Sequence, residues 1–259
     1  MANEISATWL KEVDCPVCGF KFNVEMIRTS KVRVIENYDD FGRKYSDELN
    51  PLLYSTWTCP KCLYSGNKED EYYKLLPEIK VRILKHNSFL KKISNNTNFL
   101  NPRTPESAIK SLLLSTLCYR IRRISRGTNA SCFMRICWII RNEGHPAEKE
   151  KKFLKKALRD YVFAMSKEYS PNFGKISEFG IYYIIGLLYY KLGNHEKAKE
   201  YINQVIINKK KTEAFIVNFA SILHDDLKNF KPVATPAETV QGAEENKAEW
   251  LNELDLTLE

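Results

Sequence analysis

Hydrophobic positions along the chain change their period once, near residue 77. Before that point apolar and polar residues alternate: Phe20, Phe22, Val24 and Met26 share one face, Val32 and Val34 repeat the pattern, and Ser55–Cys59 continues it. A period of two predicts short strands, with a turn at Asn50-Pro51. After Pro77 the period becomes helical, and helices are predicted over 77–94, 106–124, 130–143, 147–169, 177–191, 195–208 and 212–226. Pro77 suits a first helical turn, where its missing N–H would have had no partner. Breaks are predicted at 95–105, 125–129, 144–146, 170–175 and 193–194.

One helix pair follows a repeat template. Set against the ~34-residue tetratricopeptide pattern, the stretch from Phe179 supplies bulky Tyr182, Ile185, Tyr189 and Ile202 where bulk is wanted. Gly186 and Ala198 fill two of the small positions, Val205 stands in the third, and Leu192-Gly193-Asn194 makes the connecting turn. Phe215, Phe219, Ala220 and Leu223 would begin another unit, while Phe133–Arg141 and Phe153–Tyr161 form a looser upstream pair.

Cysteine spacing adds a candidate chemistry. Cys15-Pro16-Val17-Cys18-Gly19 and Cys59-Pro60-Lys61-Cys62 are two Cys-x-x-Cys hooks. The two-residue spacer lets both thiolates of a hook reach one ion while backbone N–H groups of the turn face the sulfurs. Together the hooks offer Cys15, Cys18, Cys59 and Cys62 as a tetrahedral set with no open position, the pattern of one structural zinc ion. Iron in a four-cysteine centre uses the same ligands, and each hook alone matches a thiol redox pair, although no βαβ pattern surrounds either. The hooks stand 40 residues apart, against roughly 15–20 in a common ribbon; doubling a loop costs only about 0.6 kcal/mol. Leu63 stands where the first hook has Gly19. A left-handed Leu costs about 1–2 kcal/mol, against about 10–16 kcal/mol contributed by a structural zinc. Cys118, Cys132 and Cys137 lie among apolar residues without hook spacing and read as core. The four scattered histidines receive no role.

These readings define a fold class: mainly α, with a small zinc-ribbon-like β part at the N-terminus followed by tetratricopeptide-like helical hairpins. The expected division is 1–75 for the four-cysteine part, 76–230 for the helices and 231–259 for an acidic tail. The beginning of the sequence has no basic segment leading into an apolar one. Its longest apolar run, residues 181–190, is half what a membrane span needs. A cytoplasmic location is therefore expected.

The chain carries a net charge of +8, unevenly spread. Residues 103–167 hold 15 Lys or Arg against 5 Asp or Glu. Arg120, Arg122, Arg123 and Arg126 crowd one helix end, and Lys152, Lys155 and Lys156 lie on the next long helix, a candidate surface for anionic partners. Cations near helix C-termini and a solvated polar face explain the same residues without a partner. Residues 232–259 hold seven acids against one Lys, with Trp250, Leu251, Leu254 and Leu258 at helical spacing. The tail is expected to dock on the basic helices.

The hooks, together with Arg28, Ser30, Arg33, Asp40-Phe41, Tyr45 and Asn50-Pro51-x-x-Tyr54, resemble an uncharacterised bacterial family, domain of unknown function 2225. Ile139-Ile140-Arg141 and Gly186-Leu187-Leu188 are similar to it as well. The resemblance covers roughly residues 13–225 and implies a zinc-ribbon-like part joined to tetratricopeptide-like helices in a bacterial cytosol. Leu63 departs from the family's second hook, which usually has Gly there. The resemblance implies no activity.

No Ser-His-Asp set, phosphate-cradling Gly loop or His-Glu-x-x-His motif is legible. Three functions remain: a non-catalytic, zinc-stabilised adaptor for a protein partner; a nucleic-acid binder using helices 103–167; and a thiol or iron redox protein.

Overall fold

A computed structural model of the protein describes residues 6–68, 70–100 and 102–229. The acidic tail and its expected docking lie outside the described residues. Strands β1 (Thr8–Asp14) and β2 (Lys21–Ile27) form an antiparallel hairpin in which Thr8 faces Ile27 and Asp14 faces Lys21. Val13, Phe22 and Val24 point inward, as the alternating pattern requires. A second hairpin pairs β3 (Val34–Asn37) with β4 (Arg43–Tyr45), with a register irregularity between Val34 and Glu36. A third pairs β5 (Thr56–Thr58) with β6 (Ser65–Asn67).

Helices follow: α1 (Asp70–Tyr73), α2 (Pro77–Lys85), α3 (Asn87–Ser94), α4 (Pro105–Arg122), α5 (Arg126–Asn142), α6 (Ala147–Lys167), α7 (Glu178–Lys191), α8 (His195–Ile207) and α9 (Ala214–Asn229). The chain is thus mainly helical, with small β hairpins at its N-terminal end. Pro77 opens α2 as expected.

The short α1 was not expected, and the helices depart most from the pattern at two places. The predicted helix over 77–94 is interrupted at His86, whose backbone N–H turns back to Ile83 (3.1 Å) and whose Nδ1 lies 2.8 Å from the Arg82 carbonyl oxygen. The segments on either side each bury their own apolar residues, Ile79 and Ile83 in α2, Leu90 and Ile93 in α3. The break predicted over 125–129 is instead the first turn of α5. Ser125 Oγ accepts the Gly127 N–H (3.1 Å) and the Glu168 carboxylate accepts the Arg126 N–H (2.7 Å), satisfying two of the helix's unpaired donors. Gly127 sits inside that turn because a Cβ there would lie 2.4 Å from the Asn172 carbonyl oxygen. Among the strands, the one expected at Val32 begins at Val34, after a 3₁₀ turn over Thr29–Lys31.

At the centre lies α4, in which every residue from Ser107 to Tyr119 is buried. One connected apolar core extends from Val13 in β1 to Leu227 in α9. Within the α7–α8 hairpin, a Cβ on Gly186 would lie 2.8 Å from Ile202 Cδ1 and 3.3 Å from the Ala198 carbonyl oxygen, so the close approach of the helices requires glycine. Asn194 caps α8 by accepting the Lys197 N–H (3.1 Å). Tyr201 packs its ring between Tyr182 and Tyr189, at 6.0 and 5.6 Å.

A buried charge cluster fastens the second hairpin to the helices. Asp40 and Glu150 are almost fully buried, and Arg141 reaches both carboxylates at 3.0 and 2.7 Å. Asp40 also accepts from Trp138 Nε1 (3.0 Å) and the Gly42 N–H (3.2 Å). Removing the cation leaves two buried carboxylates uncompensated. Arg141→Met is expected to lower unfolding stability by roughly 3–5 kcal/mol, measured by urea denaturation.

Candidate metal centre

Each hook occupies the turn of a β hairpin, and the two turns share one hydrogen-bond pattern. In the first, Cys15 N–H donates to Phe20 O and Gly19 N–H to Cys15 O, both at 2.9 Å. In the second, Cys59 N–H donates to Tyr64 O and Leu63 N–H to Cys59 O, again both at 2.9 Å. The left-handed residue closing each turn is Gly19 at φ 69° and Leu63 at φ 62°. Leu63 therefore accepts the strained conformation that glycine takes freely, and its side chain is buried there, 6% exposed.

The geometry brings the four predicted ligands together. The sulfurs of Cys15, Cys18, Cys59 and Cys62 all lie within 4.8 Å of one another. Cys15 Sγ is 3.5 Å from Cys62 Sγ and Cys18 Sγ is 3.6 Å from Cys59 Sγ, so these contacts run across the hooks. A tetrahedral ion with Zn–S bonds of about 2.3 Å needs sulfur–sulfur edges of about 3.8 Å, and the cluster brackets that length. Cys15, Cys59 and Cys62 are buried and Cys18 is half-buried.

The electrostatics of the bare thiols favour a cation. Hydrogen bonds from Cys59 and Cys62 lower the Cys15 thiol to about 2. The bond to Cys15 raises Cys59 to about 12 and raises Cys62 further. Four adjacent thiolates need a positive ion to offset their repulsion, which is what a coordinated metal supplies.

The site's support was not read from the sequence. Ser111 and Ser115, one turn apart on α4, meet the β5–β6 hairpin in a buried hydroxyl seam. Thr58 Oγ1 hydrogen-bonds Ser111 Oγ and Ser65 Oγ (2.8 Å to the latter), and Ser65 Oγ reaches Ser115 Oγ (2.9 Å) and Ser111 O (2.8 Å). Thr56 Oγ1 donates to Ser111 Oγ at 3.0 Å. The readable signal was a serine repeat of four residues within an otherwise apolar helix. Asn87 Nδ2 donates to the Cys62 carbonyl at 2.7 Å, holding the second hook from α3. Cys118, Cys132 and Cys137 are all buried in the core; Cys118 Sγ accepts the Ser65 N–H (3.4 Å), and burial raises its thiol to about 12.

The basic residues have mixed placements. Arg120 and Arg122 lie in the last turn of α4, Arg123 is its exposed left-handed cap, and Arg126 opens α5. Arg122 donates to the Tyr64 hydroxyl and the Lys74 carbonyl, both at 3.1 Å. Arg126 lies 3.3 Å from the buried Asp160 carboxylate and stacks over Phe163 at 4.4 Å. Burial lowers the Arg120 guanidinium below its ordinary range. On α6, Lys155 is exposed, Lys156 is half-buried and Lys152 lies over the Phe153 ring at 5.2 Å.

Fold and site together define a mainly helical protein built around a four-thiol cluster on two hairpin hooks. The chain belongs to the family described as "Uncharacterized protein conserved in bacteria (DUF2225)", which matches residues 9–227. A protein of Borreliella burgdorferi, described as an uncharacterized protein, is 27% identical over 234 residues, covering 76% of this chain and 82% of that one. No solved structure matches the chain. No helix among the described residues is long and apolar enough to cross a membrane.

Replacing the Ser111 hydroxyl removes the partner of Thr56 and one of the two partners of Thr58, while Ser65 keeps its bond to the Ser111 backbone carbonyl. Ser111→Val is expected to cost about 1–3 kcal/mol per hydroxyl left unpaired, read as a lowered melting temperature.

Proposed function

We propose that the protein is a non-catalytic adaptor whose N-terminal part is stabilised by one structural zinc ion and whose helices bind a protein partner. The carrying observation is that the closest sulfur contacts pair Cys15 with Cys62 and Cys18 with Cys59, across the hooks. Two independent redox pairs would each close within one hook; joint ligation of a single ion draws the hooks onto each other. All four positions of a tetrahedral ion are then taken by protein sulfur, leaving none for a substrate, which is the structural arrangement. The ion would fix the two hairpins against α4 and carry charge among four thiolates.

The adaptor reading rests further on the α7–α8 hairpin, whose Gly186, Ala198 and Ile202 meet at the close approach that a tetratricopeptide-like unit needs. The nucleic-acid reading has weaker support, because Arg122 and Arg126 spend their guanidinium groups on Tyr64, Lys74 and Asp160. Bacterial cytosol is the proposed location.

Elemental analysis of protein purified under reducing conditions is expected to give about one zinc per chain. Cys59→Ser is expected to lose the ion, and with it much of the roughly 10 kcal/mol or more that zinc contributes to folding, read as early melting of the β1–β2 and β5–β6 hairpins. Iron in place of zinc, or metal-free protein with unchanged melting, overturns the reading.

A further inference from the structure

The outer face of α6 is apolar along one line and basic at its edges. Leu158 and Val162 are half-buried and Phe163 is 40% exposed, and with Tyr189 of α7 they line a cavity of about 410 Å³. Lys155, Arg159 and Lys167 rim the same cavity. It continues past Val162 and Ser166 into a second hollow of about 540 Å³, which Met165, Tyr182 and Tyr201 line. Glu200 is the carboxylate lining that far end. The groove therefore offers an anionic occupant one end only, the one flanked by Lys155, Arg159 and Lys167. Arg126, stacked over Phe163 at 4.4 Å, adds positive charge beside it.

The C-terminal sequence has the complementary pattern. Trp250, Leu254 and Leu258 recur every four residues, and Glu249, Glu253, Asp255 and Glu259 stand between and around them. An apolar stripe flanked by acids is what a groove with an apolar floor and a cationic rim accepts. Reach is sufficient. Residues 230–247 form an 18-residue link after α9, which extends to at most about 60 Å; a fold of this length has a radius of gyration of roughly 17 Å.

We propose that residues 248–258 of this chain seat in the groove between α6 and the α7–α8 hairpin, with Trp250 and Leu254 over Leu158, Val162 and Phe163 and the tail's acids against Lys155 and Lys167. The link makes the encounter intramolecular, at an effective concentration near the millimolar range, so a weak contact suffices to fill the groove. On the adaptor reading, a partner entering this groove must carry similar chemistry and displace the tail. Seating of the tail itself requires neither zinc nor a partner.

Zero-length carbodiimide cross-linking of the full chain, followed by peptide mass spectrometry, tests the placement. Links from Glu249, Glu253 or Asp255 to Lys155 or Lys167 are expected, and Trp250→Ala/Leu254→Ala should abolish them. A mixture of isotopically heavy and light chain should give links within one isotope only. Mixed-isotope links, links only to other lysines, or none would overturn the proposal. As a second measurement, a fluorescent peptide of residues 244–259 should bind the full-length Trp250→Ala/Leu254→Ala chain at least tenfold more tightly than the unmodified chain, whose groove its own tail already fills. Adding Lys155→Glu and Lys167→Glu, both at exposed positions, should remove that gain. Equal affinity for both chains overturns the proposal. Because neither readout depends on metal content, a failed zinc analysis leaves this test intact.

Discussion

The structure depends on the hydroxyl seam between α4 and the β5–β6 hairpin. A hydroxyl buried without a partner costs about 1–3 kcal/mol, so Thr56, Thr58, Ser65, Ser111 and Ser115 must meet in one register or not at all. They do meet, and this fixes the hairpin along a helix that is buried on every side from Ser107 to Tyr119. The second hook is the turn of that hairpin, so the position of Cys59 and Cys62 is set by α4. Arg122, from the end of the same helix, reaches Tyr64 directly behind the hook. The thiol cluster is consequently built into the main core, where its loss would be felt by the central helix.

The second hook explains its own departure from glycine. At φ 62° a leucine is strained, by about 1–2 kcal/mol. Burying a leucine side chain returns about 1.5–3 kcal/mol, and Leu63 is buried. The first hook has no such return to collect, because a Cβ at Gly19 would meet nothing within 4 Å. The same turn thus carries glycine on its exposed copy and leucine on the copy that faces the core.

Legibility in the sequence followed the range of the interactions. The hooks were readable because metal ligation imposes a local spacing, and the long helices because each carries its own period over several turns. β4 and β6 were missed because neither Arg-Lys-Tyr nor Ser-Gly-Asn alternates apolar and polar residues, as the equally short β5, Thr-Trp-Thr, does. β1 was missed although it is seven residues long, because Leu10 and Trp9 are exposed and blur its alternation. The start of α5 was missed because its cap includes Glu168, 42 residues away. Asp40 and Arg141 both stand among the residues that carry the family resemblance, but no local pattern pairs a single acid in a turn with a partner 101 residues further on. The serine repeat on α4 was local and readable, but its meaning required the hairpin it faces.

The basic stretch shows how long-range pairing changes a charge count. Of the positive residues between 103 and 167, Arg126 and Arg159 flank buried Asp160, and Arg141 serves buried Asp40 and Glu150. Arg103 is drawn inward to the Thr56 and Phe99 carbonyls, and burial lowers its guanidinium to about 10. These arginines answer to interior carboxylates and backbone carbonyls, where a planar, multidentate donor is the fitting choice. Lys155 and Lys167, by contrast, lie exposed on α6. Positive charge therefore divides by placement: the inward-facing arginines hold the elements together at the α4–α5–α6 junction, while Lys155 and Lys167, with the exposed Arg159, set the character of the surface beside the α6 groove. A segment average mixes the two, and only the exposed groups meet anything arriving from outside.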